Sequence, residues 1–253
     1  MLIPLRDENP RVIIPKVTYA IVALNVAVFL LQMGMGTDPK SDREFTLSYG
    51  LIPAAATGAT SEEIVGAWEA HLSEELNANV HSPFITIITS MFMHGGLFHF
   101  AGNMAFLWVF GDNIEHRLGH FKYLLFYLVS GVIATLSHFA IDSDSQAPLV
   151  GASGAIAGVM GAYLLLYPFN RIKALVIFYF ITVIELRAMV FLGIWFFLQI
   201  INSLGFLGLS AGANVAFMAH VGGFIAGVVL IAFFKIAIKE PIIPSRPPRN
   251  YWD

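Results

Sequence analysis

Six apolar stretches separated by polar or charged segments set the pattern of this chain: residues 17–35, 96–111 (continuing toward Ile114), 121–140, 150–167, 188–204 and 216–238. A helix needs about 17–25 residues to cross a bilayer, so the pattern predicts six spanning helices, the fourth and fifth short or glycine-rich. Arg6, Arg11 and Lys16 precede the first stretch, but no A-x-A site follows it, so it reads as a retained signal-anchor helix. Residues 36–95 form a long connection. Its first half is acidic (Glu62, Glu63, Glu69, Glu74, Glu75), and its second half carries an apolar run, 84–93, too short to span. That run is expected to lie in or on the bilayer interface. The uncharged, glycine-rich segment 205–215 is expected to be mobile. Residues 174–186 read either as an interfacial stretch on the cytoplasmic side or as the start of the fifth helix.

Composition fits a membrane protein. Of 253 residues, 57% are hydrophobic and 12% charged, and mean hydropathy is +0.72. A soluble domain carries roughly 25% charged residues, so this chain could not cover a water-facing surface with polar groups. The lipid bilayer is therefore an expected partner. A net charge of −3 offers no basic stripe for nucleic acid, and the absence of cysteine excludes disulfides and thiol chemistry. Twelve of the fourteen Lys and Arg residues fall on one side of the predicted spans, leaving Lys40 and Arg43 on the other. The positive-inside rule then places both termini in the cytoplasm. The expected division is a cytoplasmic segment 1–16, a membrane domain 17–238 with an external loop 36–95, and a cytoplasmic tail 239–253.

Polar groups inside spans are costly and point to function. Three stretches hold them. In Gly151-Ala152-Ser153-Gly154, the serine opens the fourth span, and Ser153, Ala157 and Gly161 share one helical face beside the pair Gly154 and Gly158. Taken alone, this stretch reads first as a packing motif whose serine bonds its own backbone. In the sixth span, His220 shares a face with Gly223 and Gly227. If the two glycine-paved faces meet, an imidazole lies within reach of a hydroxyl, and a histidine base turns serine into a nucleophile. A buried histidine satisfied by a carbonyl is the alternative. In the second span, His99 and Asn103 are i, i+4 neighbours, placing two donors where a tetrahedral oxyanion would need them. No inward-facing carboxylate or cysteine completes a metal site around these histidines, so neither metal nor cofactor is expected.

These residues resemble the rhomboid intramembrane proteases. The resemblance rests on His94-x4-His99-x3-Asn103, Gly151-Ala152-Ser153-Gly154 and Ala219-His220-x2-Gly223-x3-Gly227 in that order, with Glu115-His116-Arg117 similar to the family's Glu-x-Arg segment. It implies an all-α bundle of six transmembrane helices, with a short central fourth helix that starts at the nucleophile, in a water-filled cavity open to the outside. It implies a serine endopeptidase cutting transmembrane segments of membrane-protein substrates, with Ser153 as nucleophile and His220 as base. His99, Asn103 and the Ser153 backbone N–H would bind the oxyanion, with no third triad carboxylate. His94, Gly151, Gly154, Gly158, Gly223, Gly227, Glu115 and Arg117 would be structural near the site. Two positions depart from the family. Ala157 stands where many members place an aromatic that stacks on the histidine, implying a less well oriented His220. The first loop reads His81-Ser82-Pro83-Phe84 where members often carry a Trp-Arg pair.

Two rivals remain: a catalytically inactive relative that binds or escorts membrane proteins, and a small transporter. The transporter would call for inverted repeats and charges paired inside the membrane, which this sequence lacks. His71 and His81 are expected to be solvated, His116 and His120 to sit at the cytoplasmic interface, and His138 to cap the loop 142–145. Phe106 and Trp195 are candidates for a lateral gate. The expected location is a bacterial inner membrane.

Overall fold

The computed structural model describes residues 2–9, 13–36, 38–177, 181–204, 216–242 and 244. In chain order the elements are β1 (Leu2–Asp7), α1 (Lys16–Met35), α2 (Pro39–Tyr49), α3 (Pro53–Thr57), α4 (Ser61–Leu72), α5 (Pro83–Thr89), α6 (Leu97–Leu118) and α7 (His120–Phe139). Then follow α8 (Ser153–Leu166), β2 (Arg171–Ile177), β3 (Ile181–Arg187), α9 (Ala188–Ser203) and α10 (Phe217–Ala237). The expected glycine-rich loop 205–215 lies outside the described residues, as does most of the C-terminal tail.

Among the described residues, α1, α7 and α10 are each long and apolar enough to cross a membrane. A fourth candidate is broken: Pro83–Phe92 meets α6 at 82°. The apolar run 84–93 is thus a short helix ending in a 3-10 turn, with Phe84 91% exposed. At 14 and 16 residues, α8 and α9 are shorter. At 1.5 Å per residue they reach about 21 and 24 Å, against a hydrocarbon core of about 30 Å.

Central α8 is buried on every side from Gly154 to Tyr163, as a helix apolar all round must be. Its glycines explain how close its neighbour comes. A Cβ on Gly161 would lie 2.1 Å from the Phe224 carbonyl oxygen, and one on Gly227 would lie 1.9 Å from that of Gly158. The backbones of α8 and α10 therefore touch, as small residues allow in lipid.

The all-α expectation needs correction. Within the stretch 174–186 the start of a fifth helix gives way to strands: Arg171–Ile177 and Ile181–Arg187 pair antiparallel, and β1 joins them in the order β1-β2-β3. Ile3 pairs with Leu175, and Leu175 with Val183. Alternation of side chains across a strand turns Ile172 and Ala174, both 0% exposed, onto the helical core. The same alternation leaves Arg171 and Lys173 to pair with Glu185 on the other face. Pro4 sits in edge strand β1, where its missing N–H is tolerated. Of the segment 1–16, residues 2–7 are thus part of the sheet.

The Glu115 side chain, 0% exposed, ties α6 to the start of α1. It accepts from Val17 N (2.8 Å), Thr18 N (2.7 Å) and Thr18 Oγ1 (2.7 Å), satisfying N–H groups a helix start leaves orphaned. His120 Nδ1 adds a contact at 2.5 Å. Two residues on, Arg117 pairs with Glu240 and lies 5.7 Å from the Phe234 ring, fastening α6 to the end of α10. His116 is exposed nearby.

At the opposite end, α2, α3 and α4 enclose a small core of Leu47, Ile52, Ala54, Ile64, Val65 and Leu76. This cap is joined to the 142–149 loop by the Leu51–Leu149 bridge and by Trp68 Nε1 donating to the Gln146 carbonyl at 3.1 Å. His81 is half-buried against Tyr49 (4.9 Å between ring centres), while His71 is exposed. His138 meets the 142–145 loop through its backbone carbonyl, which accepts from Asp142 N at 3.1 Å.

Candidate active site

Where α8 begins, the chain makes a turn only glycine takes easily. Gly151 has φ +135°, and its N–H donates to the Ser90 carbonyl at 2.8 Å. A Cβ there would stand 2.9 Å from His99 Cε1 and 3.4 Å from Ser153 Oγ. Gly151 is therefore required for its space as much as for its backbone angle, and it brings His99 and Ser153 side by side. Ser153 is the first residue of α8, so its N–H is among those without an intrahelical acceptor.

His220 lies one turn into α10. Its Nε2 is 2.7 Å from Ser153 Oγ, and its Nδ1 is 2.8 Å from Gln199 Oε1 on α9. An amide oxygen only accepts, so Nδ1 carries the proton and Nε2 presents its lone pair to the hydroxyl. The amide sense follows from the network, because Gln199 Nε2 donates to the Trp195 carbonyl at 3.3 Å. The glycines beneath make this meeting possible: a Cβ on Gly223 would lie 2.1 Å from the Gly154 carbonyl oxygen, and one on Gly158 2.4 Å from Ser130 Cβ.

On the facing wall, His99 Nδ1 accepts from Gly95 N at 3.4 Å, leaving Nε2 as its N–H donor. Asn103, 8% exposed, carries an Nδ2 that is buried without a hydrogen-bond partner among the described residues. His94 packs its ring edge-on against His99 at 5.3 Å, while its backbone exchanges hydrogen bonds with Gln32 at 2.9 and 3.2 Å. Ser153, His220, His99 and Asn103 line one cavity of about 700 Å³. Phe106 and Trp195, 6.2 Å apart, face each other on its side wall. Of the residues the resemblance placed near the site, Glu115 and Arg117 stand apart, at the far end of α6. Gln199 was not singled out. Its signal was there to use, as a polar side chain inside an apolar span.

The fold and this cavity define a class: a multi-pass, mostly helical membrane protein with a hydrogen-bonded serine–histidine pair at a cavity. A family model described as "Rhomboid domain" matches residues 81–236. The chain belongs to the rhomboid family. It is 28% identical over 213 residues to rhomboid protease GluP of Bacillus subtilis, covering 84% of this chain and 34% of that one. With RHOMBOID-like protein 1 of Arabidopsis thaliana it shares 27% identity over 250 residues, 94% of this chain and 58% of the relative. With the human mitochondrial presenilin-associated rhomboid-like protein it shares 28% over 168 residues, covering 62% and 40%. The chain thus spans between a third and three-fifths of the length of these relatives.

Proposed function

We propose that this rhomboid chain is an intramembrane serine endopeptidase that cuts transmembrane segments of membrane-protein substrates. The observation that carries the proposal is the 2.7 Å contact between Ser153 Oγ and His220 Nε2 at the wall of an accommodating cavity. Ser153 Oγ attacks the scissile carbonyl carbon while His220 Nε2 takes the hydroxyl proton. The oxyanion forms beside the Ser153 N–H, with His99 Nε2–H and Asn103 Nδ2–H as further donors. Collapse breaks the C–N bond, and His220 returns its proton to the departing amine. Water then enters, loses a proton to the same imidazole and releases the acyl group from Ser153, restoring the hydroxyl. Both Ser153 and His220 are partly accessible from the cavity, which gives that water a way in.

The proposed topology has six crossings, α1, α6, α7, α8, α9 and α10, with the cap of α2–α4 outside. Pairing of β1 with the α8–α9 connection puts the N-terminal segment and that connection on one side. The side carrying twelve of the fourteen basic residues is cytoplasmic. The membrane domain accordingly begins at residue 2 rather than 17. The test is cleavage of a single-span substrate in liposomes by wild type, Ser153→Ala and His220→Ala. Wild type should cleave, and each variant should lose at least about 10³-fold. Equal cleavage by all three would remove the mechanism.

A further inference from the structure

We infer that Gln199 is the residue that positions His220, making the site a serine–histidine–glutamine relay in which the third member is neutral. The inference rests on the proteolytic reading above. An imidazole on a single contact can turn about its side-chain bonds, and a general base must present its lone pair to the hydroxyl within hydrogen-bond reach. The second contact comes from α9: Gln199 Oε1 accepts from His220 Nδ1–H at 2.8 Å.

Three features make this contact directional. Gln199 is buried, 9% exposed. Its own amide is held by the Trp195 carbonyl one turn earlier, so the oxygen rather than the NH2 group is aimed at the ring. Trp195, four residues before Gln199 and hence on the same helical face, lies with its ring centre 5.9 Å from that of His220. From α8, by contrast, the residue one turn below Ser153 is Ala157, fully buried and offering only a methyl group. His220 is therefore oriented from α9, by an acceptor and an indole set on adjacent turns.

A neutral acceptor suits the setting. A carboxylate at this depth would carry a high desolvation penalty. An amide oxygen selects the same tautomer and turns its dipole toward the imidazolium that forms during attack, without a buried charge in the resting state. Gln199 touches no reacting atom and acts only through His220.

The experiment compares wild type, Gln199→Met, Gln199→Glu and Ser153→Ala in liposomes with a single-span substrate, reading kcat, KM and thermal midpoint. Met matches glutamine in length but has no oxygen acceptor, whereas Glu keeps one. A positioning role predicts that Gln199→Met lowers kcat about tenfold with KM within twofold, while Gln199→Glu, which keeps an acceptor but carries the desolvation cost, loses less than Gln199→Met. A packing role predicts the reverse order, since Met suits an apolar helix better than Glu, and a fall in kcat that tracks the thermal midpoint. That order, or Gln199→Met as fast as wild type while Ser153→Ala is inert, would overturn the inference and leave the serine mechanism standing. Wild type no faster than Ser153→Ala would instead overturn the proteolytic reading and this inference with it. Labelling of Ser153 by a fluorophosphonate in detergent needs no membrane substrate and should follow the order wild type, Glu, Met. Equal labelling of all three would count against positioning even if a variant resisted reconstitution.

Discussion

Asn103 holds a buried amide nitrogen that nothing among the described residues satisfies. Leaving such a group unpaired costs about 1–3 kcal/mol, and the negative charge developing on the substrate carbonyl oxygen beside Ser153 would recover that loss in the transition state. Replacing Asn103 by Ala should therefore lower kcat about 10²-fold with little change in KM and leave thermal stability the same or slightly higher. A loss of stability with unchanged kcat would assign it to structure instead. Ser153, His220, His99 and Asn103 were legible in the sequence because each interrupts an apolar run with a group that lipid penalises. Gln199 meets the same criterion, but alone in its span it reads equally as an amide bonded to its own helix backbone, as its Nε2 is to the Trp195 carbonyl. An amide that orients a histidine changes no charge, so only its neighbours in space reveal what it does.

At the scale of elements, the long apolar helices α1, α7 and α10 were legible from length and apolarity, and the glycine faces of α8 and α10 from their i, i+4 spacing. The sheet was not. Its strands alternate (Ile172 and Ala174 inward, Arg171 and Lys173 outward), but the outward positions farther along are Leu175 and Val183. A period of two merges there into an unbroken apolar run. The contact of α8 with α10 yields a direct prediction. Gly227→Ala puts a methyl group 1.9 Å from the Gly158 carbonyl oxygen, so the helices must separate. The expected loss is about 1–3 kcal/mol, read as a lower thermal midpoint in detergent, with activity falling further because Ser153 and His220 ride on those two helices. An unchanged midpoint would mean that the two backbones are not in contact.

For the molecule as a whole, the sheet end carries a group that responds to pH. Tyr163 OH on α8 donates to Asp7 Oδ2 at 2.7 Å, and Asn9 donates to the same hydroxyl at 3.2 Å. Burial pushes the Asp7 carboxyl from an ordinary 3.8 up to about 6, against the pull of the Tyr163 hydrogen bond and with the charge of Asp112 adding to the rise. Between those values the folded protein binds more protons than the unfolded chain, so this group's effect on stability turns unfavourable as pH rises from about 4 to about 6 and levels off above. Asp7→Asn should abolish that component: the difference in thermal midpoint between variant and wild type grows across this window and is constant above it. A difference independent of pH would leave Asp7 no part in it.

The three-stranded sheet has a consequence for biogenesis. Residues 2–7 leave the ribosome about 170 residues ahead of the strand they pair with, as Pro4 opposite Ala174 makes plain. On the proposed topology they wait, unpaired, while the intervening helices enter the membrane. If α8 were inserted backwards, residues 171–177 would emerge in the wrong compartment and the waiting strand would find no partner. On the proposed topology, the sheet closes only in chains whose crossings α1, α6, α7 and α8 run in the right direction.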